Sequence, residues 1–259
     1  MNTVKTSTLF IHPQYQALFN SNGLDTFEAL WNAEIAWFEE PNERRGGWSG
    51  VGRLALKAAN GSDVHVFVKK QQNHGRRTLS HPLRGEPTFR REFDNLQFLN
   101  KYQFAAPNVV YYAEDNTSKR AILVTVALSQ YQPLDEFSLA NYMKWDVPQK
   151  AGFLQALAKN IRSLHNLGMV HRALYPKHIF VHVEQPSQVA VIDLEKARLT
   201  SFGWYRTYFD LAALYRHATW WRKDEQLDFF KAYCVKLPQQ ELNSGQQWLF
   251  KRILKRAAR

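Results

Sequence analysis

Residues 148–193 limit what this chain can fold into more than any other stretch. Pro148 opens a helical run in which Leu154, Leu157, Ala158, Ile161 and Leu164 recur at spacings of three and four, and Gly168 closes it. A polar loop follows, His171-Arg172-Ala173-Leu174-Tyr175-Pro176-Lys177-His178. Two short apolar runs come next, Ile179 to Val183 and Val189 to Asp193, and the second ends on an acid fifteen residues past His178. A loop held by a long helix on one side and a short hairpin on the other displays its side chains in a fixed geometry, as a site requires.

The preceding half has a different character. A helix is expected near Leu24 to Glu39, capped by Asp25 with Glu28 as its box partner and ended by Pro41 and Asn42. The glycine-rich stretch Arg44-Arg45-Gly46-Gly47-Trp48-Ser49-Gly50-Val51-Gly52 leads into strands at Arg53 to Lys57 and Val64 to Lys69, joined by an Asn60-Gly61 turn. Residues 71–88 read as a basic loop carrying His74, Arg76, Arg77, His81 and Arg84. A helix from Thr88 to Lys101 then presents Phe89, Phe93, Leu96 and Leu99 on one face. Val109 to Tyr112 and Ala121 to Leu128 read as strands on either side of a polar turn. Beyond the hinge expected at Ser129 to Pro133 the chain is mostly helical, with helices near Arg206 to Trp221 and Asp224 to Cys234 and a basic one at the end. The expected organisation is a small β-rich lobe over residues 1–128 and a mostly helical lobe over 129–259, an α+β fold.

Composition narrows the function classes. Of 259 residues, 45% are hydrophobic, too many for a disordered chain. One cysteine, Cys234, excludes both an internal disulfide and a multi-cysteine metal site. No run approaches the roughly 18 apolar residues of a membrane span, and Met1 to Leu18 lacks the pattern of a signal peptide. A cytoplasmic protein is therefore expected. The net charge of +11 asks for an anionic partner: nucleic acid, a lipid surface or phosphorylated small molecules. No helix-turn-helix, zinc finger or RNA-binding motif is present, so nucleic acid is the least favoured of the three.

The loop and its trailing acid match the order of the protein-kinase pattern, in which H-R-D-L-x-x-x-N follows a helix and precedes a hairpin ending in a metal-binding Asp. Phosphoryl transfer asks the protein mainly to position the nucleophile, hold metal ions and neutralise phosphate charge. In that pattern Lys69, at a strand end, is the lysine of the α/β-phosphates. Glu92, on the next helix, is its partner, and the glycine-rich segment is the phosphate-covering loop. Asp193 is the metal ligand. The fold expected is therefore protein-kinase-like and bilobal.

On Arg45 to Ser49, Phe67 to Gln71, Phe89 to Phe93, His171 to Phe180, Val191 to Ala197 and Asp210 to Leu214, the chain resembles the bacterial lipopolysaccharide kinase family of the InaA and WaaP type, across residues 40–220. The resemblance implies transfer of a phosphoryl group from ATP, with Mg²⁺, to a sugar hydroxyl, typically heptose, of the lipopolysaccharide inner core. It places Gly46, Gly47, Ser49, Gly50 and Lys69 on the nucleotide and Asp193 with His178 at the metal, since His178 stands where protein kinases carry Asn. One departure stands out. The catalytic Asp of the family falls at Ala173, and a methyl group cannot take or orient the acceptor's proton. Three explanations follow: a nucleotide-binding pseudokinase with a regulatory role, a weak enzyme in which Glu195 or His178 substitutes, or a variant of an active kinase.

Other residues carry open alternatives. Phe67 shares a strand face with Lys69 and either narrows or stacks in the adenine pocket, or belongs to the core. His171 and Arg172 read as loop-bracing residues, His165 as a satisfied polar contact, and Asp210 as the opener of a helix that also bonds the loop backbone. In the last helix Leu249, Phe250, Ile253 and Leu254 share one face, opposite Lys251, Arg252, Lys255, Arg256 and Arg259. Such a helix lies peripherally on the anionic inner face of the cytoplasmic membrane, packs onto its own lobe, or does both. Arg76, Arg77 and Arg84 are the expected contacts to a phosphorylated core acceptor.

Overall fold

The computed structural model describes residues 8–38, 41–44, 46–76 and 86–259, without the side chains of Thr8, Arg44 and Arg76. Arg45, Arg77, His81 and Arg84 lie outside these residues. The chain divides into two compact units, one taking residues up to Phe98 with Pro107–Leu128, the other Leu99–Ala106 with Ser129–Arg259.

The first unit comprises β1 (Thr8–Ile11), α1 (Gln16–Ser21), α2 (Phe27–Asn32), β2 (Ala36–Trp37), β3 (Asn42–Arg44), β4 (Gly47–Lys57), β5 (Asp63–Gln72), β6 (Gly75–Arg76), β7 (Glu86–Pro87), α3 (Thr88–Lys101) up to Phe98, β8 (Val109–Asp115) and β9 (Arg120–Val126). Its main sheet runs β1-β8-β9-β5-β4-β2, with β3 also on β4. Every pairing in it is antiparallel. Strand alternation turns Val66 and Val68 of β5 into a core shared with Ile122 and Val124 of β9 and with Phe19, Phe27 and Leu30 of the two short helices. The Asn60-Gly61 turn is present, with Gly61 at φ +82°.

α2 departs from the expected helix, which was to run from Leu24 to Glu39. Thr26, rather than Asp25, caps it by accepting from the Ala29 amide. It stops at Asn32 because Lys70 of β5 donates to the carbonyls of Trp31 and Ala33, at 2.8 and 2.9 Å. Beyond that stop Ala36 and Trp37 pair with the edge of β4. Glu28 pairs with Arg120 instead of closing a capping box.

The second unit carries β10 (Tyr131–Pro133), α4 (Leu134–Ala140), α5 (Val147–Asn166), β11 (Met169–Val170), β12 (Ile179–His182), β13 (Val189–Val191), β14 (Arg198–Leu199), α6 (Gly203–His217), α7 (Lys223–Tyr233) and α8 (Ser244–Ala257). α5 opens on a capping box between Asp146 and Gln149, and its Leu154, Leu157, Ala158, Ile161 and Leu164 stripe is buried. Gly168 follows its end at φ +86°. α8 packs its apolar face on its own unit: Ile253 is buried, and Phe250 meets Phe230 and Tyr215.

Candidate functional site

In the first unit, Lys69 and Glu92 meet at 2.6 Å between Nζ and Oε1. Glu92 reaches that position because α3 is tied down at several points. Two residues past Lys69, Gln71 accepts from the Phe89 amide at 3.1 Å and from the Thr88 hydroxyl at 3.0 Å, so a β5 side chain caps the helix start. Its amide nitrogen donates in turn to the His74 carbonyl. Further along α3, Arg90 bonds Glu114 of β8 at 2.6 Å, Tyr112 also donates to Glu114, and Phe93 stacks on Tyr112 at 4.4 Å.

The glycine-rich segment is mostly strand. Only Gly46 lies in the β3–β4 turn, at φ +75°, where glycine's lack of a Cβ is needed. Gly47, Ser49 and Gly50 are in β4, with Ser49 opposite Gln71 and Gly50 opposite Lys70. A side chain at Gly47 would collide with the Asn73 backbone, and a Cβ at Gly50 would fall 2.7 Å from the Trp37 ring. These two glycines therefore let neighbouring chain approach. Phe67 is half-buried beside Arg53, whose guanidinium lies 5.3 Å from the Phe67 ring and 5.1 Å from Phe38, so it is not part of the core.

In the second unit the loop is built around Asp210. This fully buried carboxylate lies within α6, not at its start. One oxygen accepts from the Arg172 amide at 2.7 Å; the other accepts from the His171 amide at 2.7 Å and from His165 Nε2 at 3.0 Å. His165 is held from its other side by the Tyr233 hydroxyl, at 2.8 Å. This anchorage holds Arg172 at φ +65°, a conformation rare for a side chain of its size. His171 Nε2 donates to the Ile192 carbonyl at 2.9 Å, and the Ile192 amide donates to the His178 carbonyl at 3.0 Å, stitching the loop to the segment that leads from β13 to Asp193. Burial lowers the pKa of His171, so it braces the loop as a neutral ring.

Ala173 is 1% exposed. Its carbonyl accepts from the Tyr175 amide at 2.7 Å and from His178 Nδ1 at 2.9 Å. A carbonyl only accepts, so the His178 proton sits on Nδ1. Burial also lowers the His178 pKa, against the pull of Asp193, and keeps the ring neutral. The His178 Nε2 lone pair then faces Asp193 Oδ2 at 3.4 Å. A nitrogen lone pair and a carboxylate oxygen turned toward each other suit a divalent cation. No group of three or more such ligands occurs among the described residues. The remaining ligands would be water and phosphate oxygens, as Mg²⁺ usually takes them.

Among the residues that build this geometry, Lys70, Gln71, the Arg90–Glu114 pair and Tyr233 went unread in the sequence. Lys70 had a signal, because it shares the parity of Val64, Val66 and Val68 and so must enter the core.

Comparison with known proteins fits this construction. Over 177 residues the chain is 27% identical to Protein InaA of Escherichia coli (strain K12), covering 67% of this chain and 79% of that one. Over 138 residues it is 28% identical to the lipopolysaccharide core heptose(I) kinase WaaP of Pseudomonas aeruginosa, covering 49% of this chain and 51% of that one. A solved structure of WaaP in complex with acyl carrier protein superposes with a TM-score of 0.68 at 24% identity, over 96% of this chain and 99% of that one. The fold is thus the kinase-like α+β fold. The model of the lipopolysaccharide kinase (Kdo/WaaP) family matches residues 28–233, and the chain belongs to that family.

Proposed function

We propose that this protein is an ATP-dependent phosphotransferase of the lipopolysaccharide core type whose transfer step is weakened at position 173. Lys69, held by Glu92, takes the α/β-phosphates, and the β3–β4 hairpin with Gly46, Gly47, Ser49 and Gly50 covers them. Asp193 and His178 hold a divalent cation, which would neutralise phosphate charge. The acceptor is a sugar hydroxyl of a phosphorylated core, with heptose as the first candidate. The chain works at the inner face of the cytoplasmic membrane; no described helix is long and apolar enough to cross a membrane.

The observation that carries this reading is the intact loop around a missing carboxylate. Asp210 anchors the His171 and Arg172 amides, and His178 is fixed opposite Asp193, yet position 173 offers only a methyl. General-base help is worth about 10²–10⁴-fold, or about 3–5 kcal/mol of barrier. Transfer of labelled phosphate from ATP to isolated core oligosaccharide should therefore be slow in this protein and rise about 100-fold or more in Ala173→Asp. No gain would show that position 173 alone does not limit turnover. The enclosure of the Ala173 methyl favours a second reading, a nucleotide-binding pseudokinase with a regulatory role. Nucleotide binding with no transfer by either form would select it.

A further inference from the structure

The second unit carries a ribbon of rings and cations that the phosphotransfer reading leaves unused. At its start Trp204 is 59% exposed and Phe202 66%, with exposed Leu199 just before them. Trp204 packs edge-on against Tyr205 at 6.0 Å, and Tyr205 lies 4.3 Å from Phe209. Across to α8, the Arg256 guanidinium sits 4.3 Å from the Phe209 ring. One turn back along α8 is exposed Arg252, which lies over Trp248 at 5.3 Å, and Trp248 is itself 58% exposed.

The charge on these segments has one sign. Between Glu195 and the buried Asp210 the cations are Lys196, Arg198 and Arg206, with no carboxylate. From Asn243 to the last residue there are Lys251, Arg252, Lys255, Arg256 and Arg259, and no Asp or Glu. Tryptophan is at home where an apolar phase meets water, and basic side chains beside it reach anionic headgroups. Leu199 and Phe202 gain from lipid chains, whereas an aliphatic Leu gains nothing from base stacking.

We infer that this ribbon is a docking surface for an anionic lipid bilayer, with Phe202 and Trp204 entering the interface and the α8 cations on the headgroups. The inference rests on the inner-face placement proposed above, but vesicle binding requires neither nucleotide nor acceptor, so its failure is distinguishable from failure of the phosphotransfer reading. The test is co-sedimentation of the full chain with vesicles of phosphatidylglycerol and phosphatidylethanolamine, set against vesicles of phosphatidylcholine alone. The anionic vesicles should bind at least about tenfold more tightly. The double variant Phe202→Ser/Trp204→Ser should lose about tenfold of that binding. Lys251→Glu/Arg252→Glu/Lys255→Glu should lose about 100-fold, and with it the preference for anionic lipid. Lipid brominated near the headgroups should quench the wild-type fluorescence more than that of Trp204→Phe, which isolates one ring among the 8 tryptophans. Equal binding to both vesicle types, or variants that bind like wild type, would overturn the inference. So would capture of an acidic carrier protein or single-stranded DNA by the ribbon without binding to vesicles.

Discussion

Lys69 and Lys70 are neighbours in sequence, and the strand turns them to opposite faces. Lys69 finds a carboxylate at 2.6 Å. Lys70 is 3% exposed and finds two carbonyls, and burial pulls its pKa from an ordinary 10.5 down to about 8. Because the folded value lies below the unfolded one, the unfolded chain binds more protons between pH 8 and 10.5, and stability rises with pH across that window. Below pH 8 the fold carries the full cost of a buried ammonium. With solvent screening and the two carbonyl bonds discounted, the expected gain on crossing the window is about 1–2 kcal/mol. Urea unfolding of wild type and Lys70→Met at pH 7.5 and pH 10 should show the gain in wild type alone; an equal response in both would remove Lys70 as its source. Alternation along β5 made the burial of Lys70 readable in advance. The carbonyls it meets were not readable, because they come from a segment nearly forty residues away that a local pattern cannot place.

At the scale of elements, the parts set by local pattern were legible and the parts set by distant contacts were not. The stripe of α5, its Pro148 start and its Gly168 end can each be read in a window of a few turns. The stop of α2 at Asn32 cannot, since it depends on Lys70 and the open edge of β4. The glycines of β4 read locally as a loop, and only the approach of Asn73 and Trp37 explains them as strand. The orientation of α3 is likewise a long-range property. Replacing Gln71 by Leu would leave the Thr88 hydroxyl and Phe89 amide buried without their acceptor, at a cost of about 1–3 kcal/mol. If the cap matters by aiming Glu92 at Lys69, Gln71→Leu should weaken binding of a fluorescent ATP analogue about tenfold, and its effect should largely vanish in a Lys69→Met background. Additive losses would show that Gln71 supports the fold without positioning the ion pair.

Over the whole molecule, the net charge of +11 gives a class of partner without choosing one. Arg77 and Arg84 lie outside the described residues. The α8 cations lie on an exposed stripe of a packed helix, because Ile253 and Phe250 use the other face. Affinity for nucleotide separates the family's binding chemistry from its transfer chemistry, and it is read on the entire chain. A ligand that binds only the folded state stabilises it by RT ln(1 + [L]/Kd), about 2.7 kcal/mol at a concentration of 100 Kd. For a chain of this size each kcal/mol moves the melting temperature by about 2–4 °C, so saturating ATP with Mg²⁺ should raise it by about 5–10 °C. Lys69→Met and Asp193→Asn should each lose most of that rise. Ala173→Asp should keep it, because a carboxylate at that position acts on the acceptor's proton and not on the phosphates. A melting temperature indifferent to ATP·Mg²⁺ would sink both the weakened-enzyme and the nucleotide-binding readings. A shift retained in Lys69→Met would instead place the nucleotide elsewhere on the chain.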